Sequence, residues 1–211
     1  GFTADARSIY EEGIFIPHMR LFDQGRLNEP LMDLIANNVR EPIEVKGDLL
    51  ALVSCNDTGC RRLVGMMGEF NLLTIDDLAE HILVNSRNAM IEAIRRVPNG
   101  IYDAQMTLDG YEEPVRLKLR MTVEDERIVL DYGGSSLASG YGINSPKCYS
   151  DAYSIFGLKC IIGPEIPNNA GSLEPMIVEA DAGSIVHPQR PSPVTARHVV
   201  GQMLPDIVFG C

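Results

Sequence analysis

In the stretch RPSPVTARHVVGQMLPDIVFGC, His198, Gln202 and Asp206 recur at i, i+4 and i+8 with Arg197 beside the first of them. On a helix that spacing draws one polar stripe. An imidazole titrates near neutral pH and can carry a proton, a guanidinium holds fixed charge against an anion, and an amide can orient either. His198, Arg197 and Gln202 are therefore the candidate catalytic residues. The competing reading is a solvated face. Opposite it, Ala196, Val199, Val200, Met203, Leu204, Ile207 and Val208 form the apolar side of one amphipathic helix running to the last residues. Leaving that side bare would forfeit more than about 5 kcal/mol, so the expectation is a cut chain whose terminal helix lies against another chain or stays exposed. Pro205 lacks the amide that would bond Gly201, which predicts a bend.

A second constellation lies in GDLLALVSCNDTGCRRLVGMMGEF, where Leu49, Val53, Asn56, Cys60, Leu63, Met67 and Phe70 follow the four-and-three spacing of a helix seam. Asn56 interrupts the apolar run, and a buried amide must be paired. Either it fixes register against a neighbouring helix or the seam opens onto a pocket, where Thr58, Arg61 and Arg62 offer a hydroxyl and positive charge to an anionic intermediate. Exposed arginines more often form solvent-facing ion pairs. GGSSLASGYG, followed by Lys147, has the glycines of a phosphate cradle but not the GxxxxGK[ST] order, so a mobile connection is the simpler expectation. Cys55, Cys60, Cys148, Cys160 and Cys211 include no CxxC pair and read as reduced, mostly buried thiols of a cytoplasmic protein; His18, His81 and His187 stand alone.

The elements that must hold these residues come in two styles. Residues 1–98 read as a helical region: a short acidic helix near Ser8–Glu12, another near Glu29–Val39, then two long helices separated by Leu72 and Leu73 that pair as an antiparallel hairpin, the second starting from Thr74 and Asp77. From 99 to 211 the period changes to two. GIYDAQMTL, VRLKLRMTV and IVLDY predict a three-stranded antiparallel meander whose Arg116, Lys118 and Arg120 face water. Ser145 and Pro146 open a helix, CYSDAYSIFGLKCII, that is apolar nearly all round and should be central; a turn-rich stretch with one short strand at Met176–Glu179 follows. The class is α+β. A net charge of −11 argues against nucleic acid and anionic membrane partners, and no apolar run is long enough to span a bilayer.

SIYEEGIFIP, LNEPLMDLIANNVREP, GDLLA, TGCRRL, GINSP, IPNNAGSLEPMIVEA and GSIVHPQRPSPVTAR, in this order, resemble the hydantoinase B/oxoprolinase family across nearly the whole chain. The resemblance implies a subunit of an ATP-dependent cyclic-amide hydrolase, opening hydantoin or 5-oxoproline rings after a hydantoinase A-type partner has bound ATP and activated the amide. Acetone and acetophenone carboxylases resemble it too and supply the alternative. A third expectation is a structural, subunit-contact piece, inactive alone, within a hetero- or homo-oligomer. By the same resemblance Asn56, Thr58, Arg61, Asn144, Ser145 and Asn168 match recurring blocks as candidate substrate-binding residues, and Arg197 matches another. The family's divalent metal is expected in a histidine-rich segment upstream of the first block here, so no cofactor is assigned within these 211 residues.

Overall fold

The computed structural model describes residues 4–211, which form two compact units, residues 4–12 with Leu78–Cys211 and Gly13–Asp77.

In the larger unit, β3 (Gly100–Leu108), β4 (Val115–Glu124) and β5 (Arg127–Asp131) form the antiparallel meander that their alternation predicts. A fourth strand, β6 (Met176–Glu179), then joins β5 in parallel, Ile128 opposite Met176, giving a mixed sheet in the order β3-β4-β5-β6. Val115, Leu117, Leu119, Met121 and Val123 from β4, with Ile128 and Leu130 from β5, are buried, while Arg116, Lys118 and Arg120 alternate to the exposed side. The exposed side carries its own pairing: Arg120 Nε lies 2.9 Å from Asp103 of β3.

Helix α4 (Lys147–Ile161) packs along α7 (Leu204–Phe209) and reaches β6, and α7 lies against β3 and β4. Met90 and Ile94, from the last turns of α3 (Asp76–Ile94), enter the same core. The terminal helix therefore differs from expectation. It is two pieces, α6 (His198–Gly201) and α7, interrupted at Gln202–Met203 just before Pro205. Most of its apolar side is covered by this same chain, with Val200, Leu204, Ile207 and Val208 at most 2% exposed, while Val199 stays open at 41%. The stripe needed a sheet and a helix to lie on, and β3, β4 and α4 supply them. Conversely α4 is less central than its composition suggests, because Phe156 and Ile161 are exposed.

In the smaller unit, β1 (Phe22–Asp23) and β2 (Arg26–Leu27) form a tight hairpin. Its two turn residues, Gln24 and Gly25, both take the positive φ that a right-twisted two-residue turn demands. The Asn28 carboxamide oxygen accepts from Leu31 N to start α1 (Glu29–Asn37), which packs on α2 (Pro42–Glu69). No residue of α2 is buried, so the seam expected through Asn56 is an exposed apolar side rather than a closed one. The expected partner helix, α3, belongs mostly to the other unit. Among the described residues, no helix is long and apolar enough to cross a membrane.

Candidate active site

Of the residues proposed from sequence, Arg197 and His198 are brought together, lining a cavity of about 290 Å³ with Tyr149 and Thr195. Gln202, also on that stripe, is exposed and does not line it. The helical spacing itself holds, Gln202 N donating to His198 O at 3.0 Å, so a shared stripe does not decide which side chains line the cavity.

Each wall of the cavity has a local cause. The Glu12 carboxylate accepts from the backbone amides of Val194 and Thr195, the latter at 2.8 Å, which pins the segment leading into α6. Tyr149 stands in the first turn of α4, its ring stacked on Tyr153 with centroids 4.4 Å apart. Gly201 is what lets that ring lie there: a Cβ at this position would sit 2.3 Å from Tyr149 Cε1. The Arg197 guanidinium carbon is 5.6 Å from the centre of the Tyr149 ring, within cation–π range. Burial and the neighbouring Tyr153 hold the Tyr149 phenol above its ordinary value, against the opposing charge of Arg197, so it remains a hydrogen-bond donor at neutral pH. Tyr149 and Thr195 escaped sequence reasoning because an aromatic in a mostly apolar helix and a threonine before an amphipathic one carry no spacing signal.

The other candidates lie elsewhere. Asn144 is fully buried and its amide is committed within the chain: Oδ1 accepts from Ser139 N at 2.7 Å, and Nδ2 donates to the carbonyls of Ser139, Tyr141 and Pro193. Ser145 is equally buried. Its hydroxyl accepts from Ser150 Oγ at 2.9 Å and does not cap α4, whose N-cap is Pro146. Both hold the loop and helix start that carry Tyr149. In IPNN, Asn168 is exposed while Asn169 caps α5 (Ala170–Leu173) reciprocally with Ser172 and reaches Ser86 Oγ at 2.8 Å. Asn56 is exposed on α2, Thr58 is half-buried, and Arg61 is paired with Asp57 at 2.6 Å. The cavity contains none of these six residues.

The glycine-serine loop is neither a phosphate cradle nor a mobile connection. Gly133 N, Gly134 N and Gly140 N donate to the carboxylates of Asp131, Asp181 and Glu112, and Ser136 N donates to Arg116 O at 2.8 Å. The carboxylates that occupy these amides repel a phosphate. Lys147 is paired with Asp151 and donates to Val178 O at 2.9 Å. The cysteines also differ from expectation: Cys55, Cys60, Cys148 and Cys160 are exposed, and only Cys211 is partly covered, burial raising its thiol pKa. Among the described residues no group of three or more His, Cys, Asp or Glu side chains is placed to hold a metal ion, and the resemblance places the divalent metal upstream of the first matching block.

Several known proteins share this arrangement or its sequence. The chain is 23% identical over 211 residues to 5-oxoprolinase of Dictyostelium discoideum, covering 97% of this chain and 17% of that protein. The crystal structure of ATP-dependent caprolactamase from Pseudomonas jessenii superposes with a TM-score of 0.89 at 23% identity, over 98% of this chain and 36% of that one. The nucleotide-free structure of acetone carboxylase gives 0.77 at 14% identity, over 92% and 28%. The chain thus spans from about a sixth to little more than a third of the length of the curated relatives it matches. A family model described as hydantoinase B/oxoprolinase matches residues 1–211, and the chain belongs to that family.

Proposed function

We propose that the protein is part of a subunit of an ATP-dependent cyclic-amide hydrolase, acting on a ring activated by an ATP-binding partner subunit of the hydantoinase A type. The observation that carries this reading is the cavity that joins Arg197 and His198 in a chain of this family. A ring amide resists water because its nitrogen lone pair is delocalised into the carbonyl. Once the amide oxygen bears a good leaving group, what remains is to place a nucleophile and hold the charge that develops. In this reading the Arg197 guanidinium faces the negative charge, the His198 imidazole takes a proton from the attacking water, and the hydroxyls of Tyr149 and Thr195 orient the substrate. The water oxygen bonds to the activated ring carbon, the ring carbon–nitrogen bond breaks as the amine takes up the proton, and a second water releases the group carried on the former amide oxygen, leaving a free carboxylate.

The test uses the full-length subunit with its ATP-binding partner, offered hydantoin, 5-oxoproline, caprolactam and acetone, each with and without bicarbonate. ATP-dependent ring opening without bicarbonate is the expected result. The likeness to acetone carboxylase favours a second reading, carboxylation of an activated ketone. Turnover restricted to ketone plus bicarbonate would establish that one and remove the hydrolase. The 211-residue chain assayed alone should be inactive in either case, in keeping with its role as one portion of a larger catalyst.

A further inference from the structure

We propose that the cavity bounded by Tyr149, Thr195, Arg197 and His198 is a binding site for a small tetrahedral oxyanion, inorganic phosphate or a phosphoryl group carried by a ligand. Its first support is a hydroxyl without a partner: Thr195 Oγ1 is buried and makes no hydrogen bond among the described residues, an arrangement that proteins avoid unless something else completes it. Thr195 lines the cavity, so a rotamer change about its χ1 would turn the hydroxyl toward whatever fills it.

The second support is the arginine. Two arginines are half-buried among the described residues, Arg87 and Arg197. Arg87 pairs with Glu174 at 3.1 Å, whereas Arg197 has no ion pair among the described residues and offers Nη1 to the carbonyl of Val194 in its own turn, at 3.5 Å. In a chain with 29 acidic residues, exposed arginines such as Arg61, Arg95, Arg120 and Arg127 all find carboxylates. Glu12, the carboxylate that reaches the Arg197 segment, is taken by the amides of Val194 and Thr195. A guanidinium withheld from carboxylates beside a cavity is arranged for an anion that comes from outside.

The third support is placement. Gly201 and Tyr153 fix the Tyr149 ring from two sides, so the phenol joins the site without paying for orientation at binding. Two hydroxyls, a guanidinium and an imidazole suit the four oxygens of phosphate better than the two of a carboxylate. The inference shares its cavity with the hydrolase reading but is tested without turnover, so the two fail separately.

Inorganic phosphate and acetate are titrated into the 211-residue chain at low salt by calorimetry, for the native sequence and for Thr195→Val, Arg197→Gln and Tyr149→Phe. Phosphate is expected to bind saturably and at least about tenfold more tightly than acetate. Thr195→Val and Arg197→Gln should each weaken it about tenfold or more, as loss of a hydrogen bond to a charged group does. Thr195→Val discriminates further: it removes a hydroxyl that bonds nothing among the described residues, so its melting temperature should equal or exceed the native value while phosphate affinity falls. No saturable phosphate binding, acetate binding as tight as phosphate, or unchanged affinity in a folded Thr195→Val chain would each overturn the site.

Discussion

At the scale of single residues, the chemistry assigned to the cavity makes separable demands. In the full-length complex His198→Gln removes the proton acceptor without altering shape, so kcat should fall about 100-fold or more with KM little changed. Arg197→Gln removes charge that the anionic form of the substrate needs in both ground and transition states, so KM should rise as kcat falls. Steady-state kinetics on the two variants checks the split, and parallel losses would merge their roles. A buried residue away from the cavity gives a pH signature. The Tyr132 hydroxyl donates to Ser154 Oγ at 2.8 Å, because the Ser154 hydroxyl is itself used on Ser150 O at 2.7 Å. Burial pushes this phenol above the ordinary 10.0, the Ser154 bond offsetting only part of the shift. Above pH 10 the unfolded chain loses the phenolic proton while the folded chain keeps it. The stability contribution is thus whole below about pH 10 and declines as pH rises from there toward the folded value, by up to about 1.4 kcal/mol per pH unit. Urea melts between pH 8 and 11 should show a shallower alkaline decline for Tyr132→Phe, and identical slopes would show that the phenol does not titrate this way.

At the scale of elements, two glycines in helices should respond in opposite directions. A Cβ on Gly157 of α4 would lie 3.0 Å from Pro205 Cα and 3.2 Å from Val208 Cβ, so Gly157→Ala should push α4 from α7 and destabilise by about 1–3 kcal/mol. A Cβ on Gly59 of α2 meets nothing within 4 Å, and Gly59→Ala should stabilise by about 0.5–1 kcal/mol through helix propensity alone. Denaturant midpoints of the two variants test the pair. The same contrast between local and distant causes decides what could be read from sequence. The meander was legible because alternation and tight turns are local, and β4 keeps its inward set from Val115 to Val123 without a slip. The parallel pairing of β6 with β5 was not, since Met176–Glu179 shows a strand but not its neighbour. Periodicity in α2 correctly located an apolar side, yet it reports composition and not cover: Asn56, expected in a packed seam or where that seam opens onto a pocket, is exposed. In the site, Arg197 and His198 were visible as adjacent polar residues. Tyr149 joins them only through the packing of α4, 48 residues earlier in the chain by subtraction from Arg197.

At the scale of the whole molecule, burial is distributed unevenly. In the unit Gly13–Asp77 the buried apolar side chains are Leu31, Met32 and Ile35, all on α1, whereas the other unit gathers β4, β5, α4 and α7 around one core. Opening free energies follow buried contacts. Hydrogen exchange of the 211-residue chain should therefore show α2 amides exchanging much faster than those of β4, β5 and α4, by two orders of magnitude or more, despite the regular helix that α2 forms. Equal protection across the units would mean that α2 is covered in solution. The mixed sheet has a further effect, felt during synthesis. As the polypeptide leaves the ribosome, β3, β4 and β5 emerge in succession and can zip together, but β5 then presents an open hydrogen-bonding border until Tyr132–Pro175 has been translated and Met176–Glu179 arrives to close it. A nascent chain stalled inside that crossover would hold a sticky three-stranded intermediate, the stage at which a chaperone has the most to shield.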